Sequence, residues 1–340
     1  MRAAVENWLV RTWYSRQRPP WFLRSLEPVY RILFQRVQRK GASASQKYRS
    51  RLPLIVVGNL TAGGSGKTPL VMHLCRLAGD LKLKPGIAST GYGRLGSDTT
   101  EVTSLSDAQA CGDEPVMLAI RTGVPVVVAK HRVDAIDRLN EMNIDLIFSD
   151  DGLQQADLET DVEVCVIDGG RGFGNGHLLP AGPLREPVSR LKSVDYVVTN
   201  GVWAGKPGDV DVTVMQLQAS RLCSLETGET LPVKEFLQMH KEKELHAIAG
   251  IGNPQRFFDT LDKLGIKAIP HGFPDHYPFT PKDFNFTTRD SVIIMTEKDA
   301  VKCRSFKPGN SWYLPVETHL PAEFESAFMS HLAKLIKERK

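Results

Sequence analysis

The chain has 340 residues, of which 41% are hydrophobic, and it carries 43 Lys and Arg against 39 Asp and Glu. The apolar fraction excludes a mostly disordered chain, and the length favours two domains over one. No apolar run is long enough to predict a membrane span, and five cysteines without a Cys-x-x-Cys pair argue against a disulfide scaffold or a zinc cluster and fit a reducing cytosol.

The N-terminal segment differs from the rest of the chain in charge. Residues 1–51 carry a formal charge of +10 and three of the five tryptophans, whereas the remaining residues carry −6. Pro19 and Pro20 separate two helical patterns, one over residues 1–18 and one that begins at Trp21. Trp and Arg in an amphipathic helix are typical of a membrane interface, so this segment predicts a membrane-surface helix on anionic lipid. A helix pair packed on the main body with a solvated basic face, or a nucleic-acid surface, are the alternatives.

A glycine-rich loop follows a predicted strand at residues 54–58 and precedes a predicted helix at 68–79. This order of elements is the context of a phosphate-binding P-loop. The glycines let backbone N–H groups cradle phosphate oxygens, Lys67 reaches the β- and γ-phosphates, and the Thr68 hydroxyl ligates Mg²⁺. The usual first glycine is Thr61 here, and a glycine-rich turn with a surface lysine is the alternative. The predicted nucleotide-binding residues are Thr61, Ala62, Gly63, Gly64, Ser65, Gly66, Lys67 and Thr68.

Two adjacent acids, Asp150 and Asp151, end a hydrophobic strand predicted at 144–149. In P-loop proteins a neighbouring strand ends in an aspartate that holds Mg²⁺, and the carboxyl ends of parallel strands lie at one edge of the sheet. The sequence therefore predicts metal-binding carboxylates here. A turn is the alternative, since Asp and Gly favour turns.

A second acidic cluster, Asp113 and Glu114, precedes a helical run. A helix cap with favourable charge at the helix start is a sufficient explanation. The functional alternative is a base that takes the proton from an attacking hydroxyl.

Seven blocks follow one another along the chain. They are VVGNLTAGGSGKTP at 56–69, GYGR at 91–94, GDEP at 112–115, DDGLQ at 150–154, LPAGPLRE at 179–186, DHY at 275–277 and TEKD at 296–299. Together they resemble the tetraacyldisaccharide 4′-kinase family, the lipid A 4′-kinases of Gram-negative bacteria. The resemblance covers about residues 1–300 and includes the basic N-terminal segment.

The resemblance implies a reaction and a location. The γ-phosphate of ATP, with Mg²⁺, would pass to the 4′-hydroxyl of a tetraacylated glucosamine disaccharide 1-phosphate and give lipid IVA. The enzyme would be a monotopic protein on the cytoplasmic face of the bacterial inner membrane, in contact with anionic lipids and a membrane-embedded substrate. No nucleic acid and no obligate protein partner are implied.

The resemblance also implies roles for individual residues. Lys67 and Thr68 would hold phosphate and Mg²⁺, with Lys67 also counted as catalytic. Asp113 would be the catalytic base with His276 as its partner, although a lone histidine in a loop is more often bound locally. Asp150 and Asp151 would be the metal carboxylates, with Glu114 as a further candidate ligand.

Four more residues are candidates for contacts with the sugar and phosphate of the acceptor. Arg suits this role because its planar guanidinium binds phosphate through two hydrogen bonds, and a surface salt bridge is the alternative for each one. The candidates are Tyr92, Arg94, Arg132 and Arg185. The family usually has Arg at the position of Thr90 and His at the position of Gln155, so no role is carried over to those two residues.

Strand and helix patterns alternate after the N-terminal segment, which predicts an α/β protein with a P-loop NTPase-like parallel-sheet lobe and a second, smaller α/β lobe. Predicted strands lie at 54–58, 85–89, 125–130, 144–149, 163–168, 194–199, 245–250, 291–296 and 311–316, and helices at 68–79, 131–142, 254–264 and 323–338. A Gly- and Pro-containing stretch at 201–208 is the predicted linker. The predicted units are therefore the interfacial segment 1–45, the kinase lobe 46–200 and the second lobe 201–340, with the active site in the cleft between the lobes.

Two other functions compete with the lipid kinase. A GTPase-like switch would need Asn or Thr, then Lys, any residue and Asp after a late strand, but Lys298 and Asp299 are adjacent. A soluble P-loop kinase for a small molecule would not need the aromatic, basic N-terminal segment.

Overall fold

The computed structural model describes residues 2–15, 17–43, 47–205, 210–288 and 290–339. The helices of this part of the chain are α1 (Arg2–Trp13), α2 (Trp21–Ser43), α3 (Lys67–Asp80), α4 (Ala108–Cys111), α5 (Asp113–Thr122), α6 (Arg132–Asn140), α7 (Val233–Met239), α8 (Pro254–Lys263), α9 (Glu297–Cys303) and α10 (Ala322–Arg339). The strands are β1 (Tyr48–Arg49), β2 (Leu54–Gly58), β3 (Pro85–Ser89), β4 (Thr100–Val102), β5 (Val126–Val128), β6 (Leu146–Asp150), β7 (Leu158–Glu159), β8 (Val162–Asp168), β9 (Tyr196–Asn200), β10 (Val212–Gln218), β11 (Arg221–Ser224), β12 (Thr230–Pro232), β13 (Leu245–Ala249), β14 (Ile269–Gly272), β15 (Val292–Thr296), β16 (Asn310–Leu314) and β17 (Glu317–His319).

The first lobe is built on a nine-stranded sheet in the order β17-β10-β9-β8-β2-β6-β3-β5-β4. Its strands are parallel except for the two edge strands, β4 and β17, which pair antiparallel with their neighbours. Along β2, Ile55 and Val57 pack in the core that includes α3, α5 and α10, whereas Leu54 and Val56 pack in the core that includes α6. Burial on both faces explains why β2 is continuously apolar rather than alternating.

The second lobe is built on a six-stranded sheet in the order β12-β11-β16-β15-β13-β14. Phe236 of α7 and Phe257 of α8 pack in a core against one face of this sheet. Ala300 and Cys303 of α9 pack in a second core with Ile293 and Met295 of β15. The predicted combination of a parallel-sheet lobe and a smaller α/β lobe is confirmed.

The chain passes between the lobes twice. Residues 219–220 lead from β10 in the first sheet to β11 in the second, and residues 315–316 lead from β16 back to β17 in the first sheet. An ion pair of 2.9 Å between Arg221 and Glu317 joins the two crossings. The division predicted at 200/201 therefore does not coincide with the division of strands between the sheets. β10, β17 and α10 belong with the first lobe. Along the chain, the predicted linker at 201–208 comes between β9 and β10 of the first sheet, and its residues 206–208 lie outside the described residues.

The N-terminal helices pack on the first lobe with one face. The indole of Trp13 donates a hydrogen bond of 2.9 Å to the Pro180 carbonyl, and the Tyr30 hydroxyl donates one of 2.9 Å to the Arg185 carbonyl. The face of α2 next to the packed one leaves a row of apolar side chains exposed. These are Trp21, Phe22, Leu26, Val29, Ile32, Leu33 and Val37. Within the described residues, no helix is both long and apolar enough to cross a membrane.

Candidate active site

The predicted P-loop forms a tight loop between β2 and α3. Gly63 and Gly66 have positive φ angles of 102° and 98°, which residues with a Cβ rarely adopt. At Gly66 a Cβ would also collide with the side chain of Asn200, which donates a hydrogen bond of 3.1 Å to the Ser65 carbonyl. Because α3 begins at Lys67, its positive end and the amides of the loop are placed to bind phosphate together.

The first half of the loop is held by the segment that contains residues 179–186. Thr61 forms a β-bridge with Leu184, and the amide of Ala62 donates a hydrogen bond of 2.8 Å to the Pro183 carbonyl. These backbone bonds explain how Thr61 replaces the usual glycine. Its backbone is extended in a β-bridge, a conformation that residues with a Cβ adopt readily. The first half of the loop is therefore bonded through its backbone to the segment 179–186 of the first lobe.

The side chains of Thr68 and Asp150 meet at the carboxyl edge of the sheet. The Thr68 hydroxyl donates a hydrogen bond of 3.2 Å to Oδ2 of Asp150, and Oδ1 of Asp150 is buried with no hydrogen-bond partner. Burial, with the nearby charge of Glu114, raises the pKa of Asp150 to about 7. A buried carboxylate with an unpartnered oxygen, beside a hydroxyl and a second acid, offers the oxygen ligands that suit a hard divalent ion.

The donor set favours Mg²⁺ bound together with phosphate. Among the described residues, no three His, Cys, Asp or Glu side chains are grouped to hold a metal on their own. Mg²⁺ in phosphate-transfer sites is held by one or two protein oxygens plus substrate phosphates and water. Thr68 and Asp150 match that pattern.

Asp151 lies beside the cations of the site. Its carboxylate is 3.5 Å from Nζ of Lys67 and 3.3 Å from Nη1 of Arg185. Burial acts to raise the pKa of Asp151, but Lys67, Arg185 and Arg132 outweigh it, and the pKa is lowered. Asp151 is thus held as a carboxylate that orients Lys67 towards the loop.

Asp113 and His276 meet across the cleft between the lobes. Nδ1 of His276 lies 3.1 and 3.0 Å from the two carboxylate oxygens of Asp113, which begins α5 and is buried. Burial acts to raise the pKa of Asp113, but the hydrogen bond to His276 and the charges of Lys298 and Lys302 lower it to about 2. His276 has a positive φ of 55°, a strained conformation for this residue type. The structure therefore brings together two groups that are 163 residues apart in the sequence.

Comparison with known proteins places the chain. Residues 19–333 match the family described as tetraacyldisaccharide-1-P 4′-kinase. The chain belongs to the tetraacyldisaccharide 4′-kinase family. It is 43% identical to the tetraacyldisaccharide 4′-kinase of Alcanivorax borkumensis over 94% of this chain and 95% of that protein. It is 42% identical to that of Nitrosococcus oceani over 97% of this chain and 96% of that protein.

A solved structure agrees with this membership. The crystal structure of LpxK from Aquifex aeolicus in complex with ATP superposes with a TM-score of 0.76 at 26% identity, and the match covers 92% of this chain and 98% of that one. The predicted family is confirmed, and with it the prediction of a kinase that phosphorylates an alcohol group.

Two of the four residues predicted to contact the acceptor of a tetraacyldisaccharide 4′-kinase lie at the mouth of the cleft. Tyr92 is 71% exposed and its ring lies 5.3 Å from the ring of His276. Arg94 donates a hydrogen bond of 2.8 Å to the Asp98 carbonyl, and its Nη2 is buried without a partner. Arg185 lies deeper, between Asp151 and Gln154. Contacts with the acceptor remain predictions for these three residues.

Arg132, the fourth predicted acceptor contact, is more enclosed than Tyr92. It is 3% exposed and donates hydrogen bonds to Ser149 and to the carbonyls of Ala88, Asp150 and Asp151, at 2.6 to 3.2 Å. Its guanidinium is thus used to fix the strand ends that carry the two aspartates. These bonds place Arg132 behind the two aspartates, and its contact with the acceptor stays a prediction.

The cluster around Asp113 holds a residue to which the sequence-based analysis gave no role. Nζ of Lys298 lies 2.9 Å from Glu114, 3.2 Å from Asp275 and 3.3 Å from Nε2 of His276. Glu114 is therefore paired with a lysine of the second lobe, although its charge still raises the pKa of Asp150. In the sequence, the signal for Lys298 is its place in the TEKD block at 296–299.

Proposed function

We propose that the protein transfers the γ-phosphate of ATP, with Mg²⁺, to the 4′-hydroxyl of a tetraacylated glucosamine disaccharide 1-phosphate and so makes lipid IVA. The observation that carries the proposal is the meeting of Asp113 and His276 across the cleft beside the P-loop. A nucleotide switch needs no base for an attacking hydroxyl, whereas phosphoryl transfer to an alcohol does.

The P-loop lobe binds the donor in this proposal. Lys67 and the loop amides contact the β- and γ-phosphate oxygens, and Asp151 keeps Lys67 pointed at them. Thr68 and Asp150 would hold Mg²⁺, with Asp151 and Glu114 as further candidate ligands. Bound Mg²⁺ supplies charge neutralisation on the phosphates.

The cleft binds and activates the acceptor. Asp113 takes the proton of the 4′-hydroxyl on a carboxylate oxygen, and Nδ1–H of His276 orients that carboxylate. Tyr92 and Arg94 at the entrance and Arg185 deeper in the site contact the sugar and phosphate of the acceptor.

Incubation with γ-labelled ATP and a panel of acceptors tests this function. We expect label in the acylated disaccharide 1-phosphate and not in soluble amino sugars. Label only in a soluble sugar would support the small-molecule kinase instead. Label only in free phosphate would support a nucleotide hydrolase and would contradict the proposal.

We further propose that the protein is peripheral on the cytoplasmic face of the inner membrane and that α2 is its attachment surface. The exposed apolar row of α2 is accompanied by exposed Arg24, Arg31, Arg36 and Arg39. This pairing of a contiguous apolar row with cationic side chains suits a surface of anionic lipid.

The double variant Leu26→Gln, Leu33→Gln tests the attachment. Both side chains are about half exposed, and losing their insertion is expected to weaken binding to anionic vesicles about tenfold or more. Co-sedimentation with vesicles measures this. The matched control is Leu105→Gln, Val202→Gln, which changes two exposed apolar residues outside α2. Equal vesicle binding by the two double variants would contradict the attachment through α2.

A further inference from the structure

The ammonium of Lys298 fills the space between the two lobes on the far side of the His276 ring. It lies 3.3 Å from Nε2 of His276 and 3.2 Å from Oδ1 of Asp275, while Nδ1 of the same ring faces Asp113. The Lys298 side chain is 13% exposed and belongs to α9 of the second lobe. The Lys298 ammonium therefore contacts His276 on the side of the ring that faces away from Asp113.

The chemistry of these neighbours selects one form of the ring. An ammonium carries only donor hydrogens, so its contact with Nε2 is a hydrogen bond only when Nε2 offers its lone pair. A carboxylate only accepts, so the contact with Asp113 is a hydrogen bond only when Nδ1 carries the proton. Both neighbours thus require a ring with hydrogen on Nδ1 and none on Nε2.

We propose that Lys298 is a positioning residue that holds His276 in the neutral Nδ1–H form, so that His276 orients Asp113 without competing for its charge. The inference rests on the proposed role of Asp113 as the base. In this arrangement His276 does not act as the base itself, because its second nitrogen is occupied by Lys298.

Removal of Lys298 would expose Nε2 to a second carboxylate. Asp275 lies 3.8 Å from Nε2, and its Oδ1 would lose the ammonium that now pairs with it. The ring would then carry both protons between Asp113 and Asp275. The positive charge of that imidazolium would be hydrogen-bonded directly to Asp113. At present the positive charge belongs to Lys298, which lies 3.9 Å from Asp113 and also pairs with Glu114 and Asp275. A carboxylate bound in that way is a weaker proton acceptor.

The other groups around the ring do not replace Lys298. Tyr92 packs edge-on against it, and Lys302 lies 3.7 Å from Asp113 but bonds to Asp299 and the Gly250 carbonyl. Burial acts to lower the pKa of His276, and Lys298 lowers it further, but Asp113 and Asp275 outweigh both, and the pKa is raised. Lys298 is thus the charged neighbour that opposes double protonation of the ring, against two carboxylates that favour it.

Nitrogen NMR of the protein with ¹⁵N-labelled histidine tests the proposal on the unmodified chain. His276→Gln assigns the signal. We expect the neutral ring of His276 to carry its proton on Nδ1. A neutral ring with its proton on Nε2 would overturn the proposal, and this result would leave the assignment of Asp113 as base untouched.

Lys298→Met and Lys298→Arg provide the kinetic test. In Lys298→Met we expect kcat to fall about 100-fold with KM for ATP changed less than about threefold, since the donor site is on the other lobe. The kcat of this variant should rise to its plateau at a higher pH than that of the natural chain, because the doubly protonated ring must lose a proton first. Lys298→Arg, which keeps a cationic donor, should recover activity to within about tenfold.

Lys302→Met is the matched control, since it removes an ammonium from the same helix near Asp113 without touching the ring. It should leave the His276 signal unchanged. A thermal melt of each variant measures folding. A fall of kcat in Lys298→Met that is equal at every pH, with an unchanged His276 signal, would show a packing role and would contradict the proposal.

Discussion

Replacement of Lys67 by alanine is expected to lower kcat by about 10³ while leaving the protein folded. Lys67 begins α3 with its ammonium 3.5 Å from Asp151, and its side chain is 11% exposed. The ammonium is thus held where charge builds up on the transferring phosphate, and a charge fixed in advance is stronger there than a mobile ion from solvent. Radioactive transfer to the acylated disaccharide under saturating ATP and Mg²⁺ measures the effect.

The folded state has little need of this lysine. Asp151 keeps its contact with Arg185 when Lys67 is removed, so we expect the free energy of unfolding to change by less than about 1 kcal/mol. Lys84→Ala is the control, because Lys84 is an exposed lysine just beyond the same helix. Transfer by Lys67→Ala within threefold of the Lys84→Ala rate would rule out a phosphate contact for Lys67.

The P-loop could be predicted from local sequence because its function depends on local backbone geometry. Gly63, Gly66 and Lys67 lie within five residues, and the strand and helix that flank them are continuous apolar patterns. All nine predicted strands, and the four helices predicted after the N-terminal segment, lie over observed elements because their apolar patterns are also local.

The contacts between residues of the two lobes could not be predicted from local sequence. Asp113 and His276 are adjacent only because α5 and the loop after β14 face one another across the cleft, and physical reasoning on either residue alone favoured a helix cap and a loop histidine. The family resemblance supplied that pair. It did not supply Lys298, whose neighbours come from three separate segments.

Arg132 and β10 illustrate two further limits. A guanidinium that binds phosphate and one that binds backbone carbonyls have the same sequence pattern, and only the fold shows that Arg132 is enclosed behind Asp150. β10 follows a stretch with glycine and proline, which resembles a linker, yet it pairs with β9 in parallel and extends the first sheet. In both cases the environment depends on contacts between distant parts of the sequence.

Replacement of Asp113 by asparagine is expected to lower kcat by about 10²–10⁴, the usual contribution of a general base. Asparagine keeps the shape of the side chain and can still accept the hydrogen bond of 2.9 Å from the Glu114 amide. It cannot take a proton from the 4′-hydroxyl. The substitution therefore distinguishes the two roles. If Asp113 only caps the helix, activity stays near normal, and if Asp113 is the base, kcat falls.

The same substitution has a predicted effect on stability that depends on pH. The pKa of Asp113 is lowered to about 2 in the folded chain, so the carboxylate stabilises the fold above its ordinary pKa near 4 and loses that contribution as the pH falls towards 2. A shift of this size corresponds to about 2 kcal/mol for a buried group. Urea unfolding of Asp113→Asn should thus show a deficit of that order at pH 7, which narrows below pH 4.

The activity and stability results must be read together with a matched control. Asp107→Asn makes the same change at the start of α4, where the carboxylate caps the helix through the Gln109 amide and faces no cation of the cleft. Asparagine caps a helix about as well as aspartate, so both activity and stability should be close to those of the natural chain. Asp113→Asn with kcat within threefold of Asp107→Asn would exclude Asp113 as the base, whatever its effect on unfolding, because a proton acceptor cannot be removed without cost to the step that it serves.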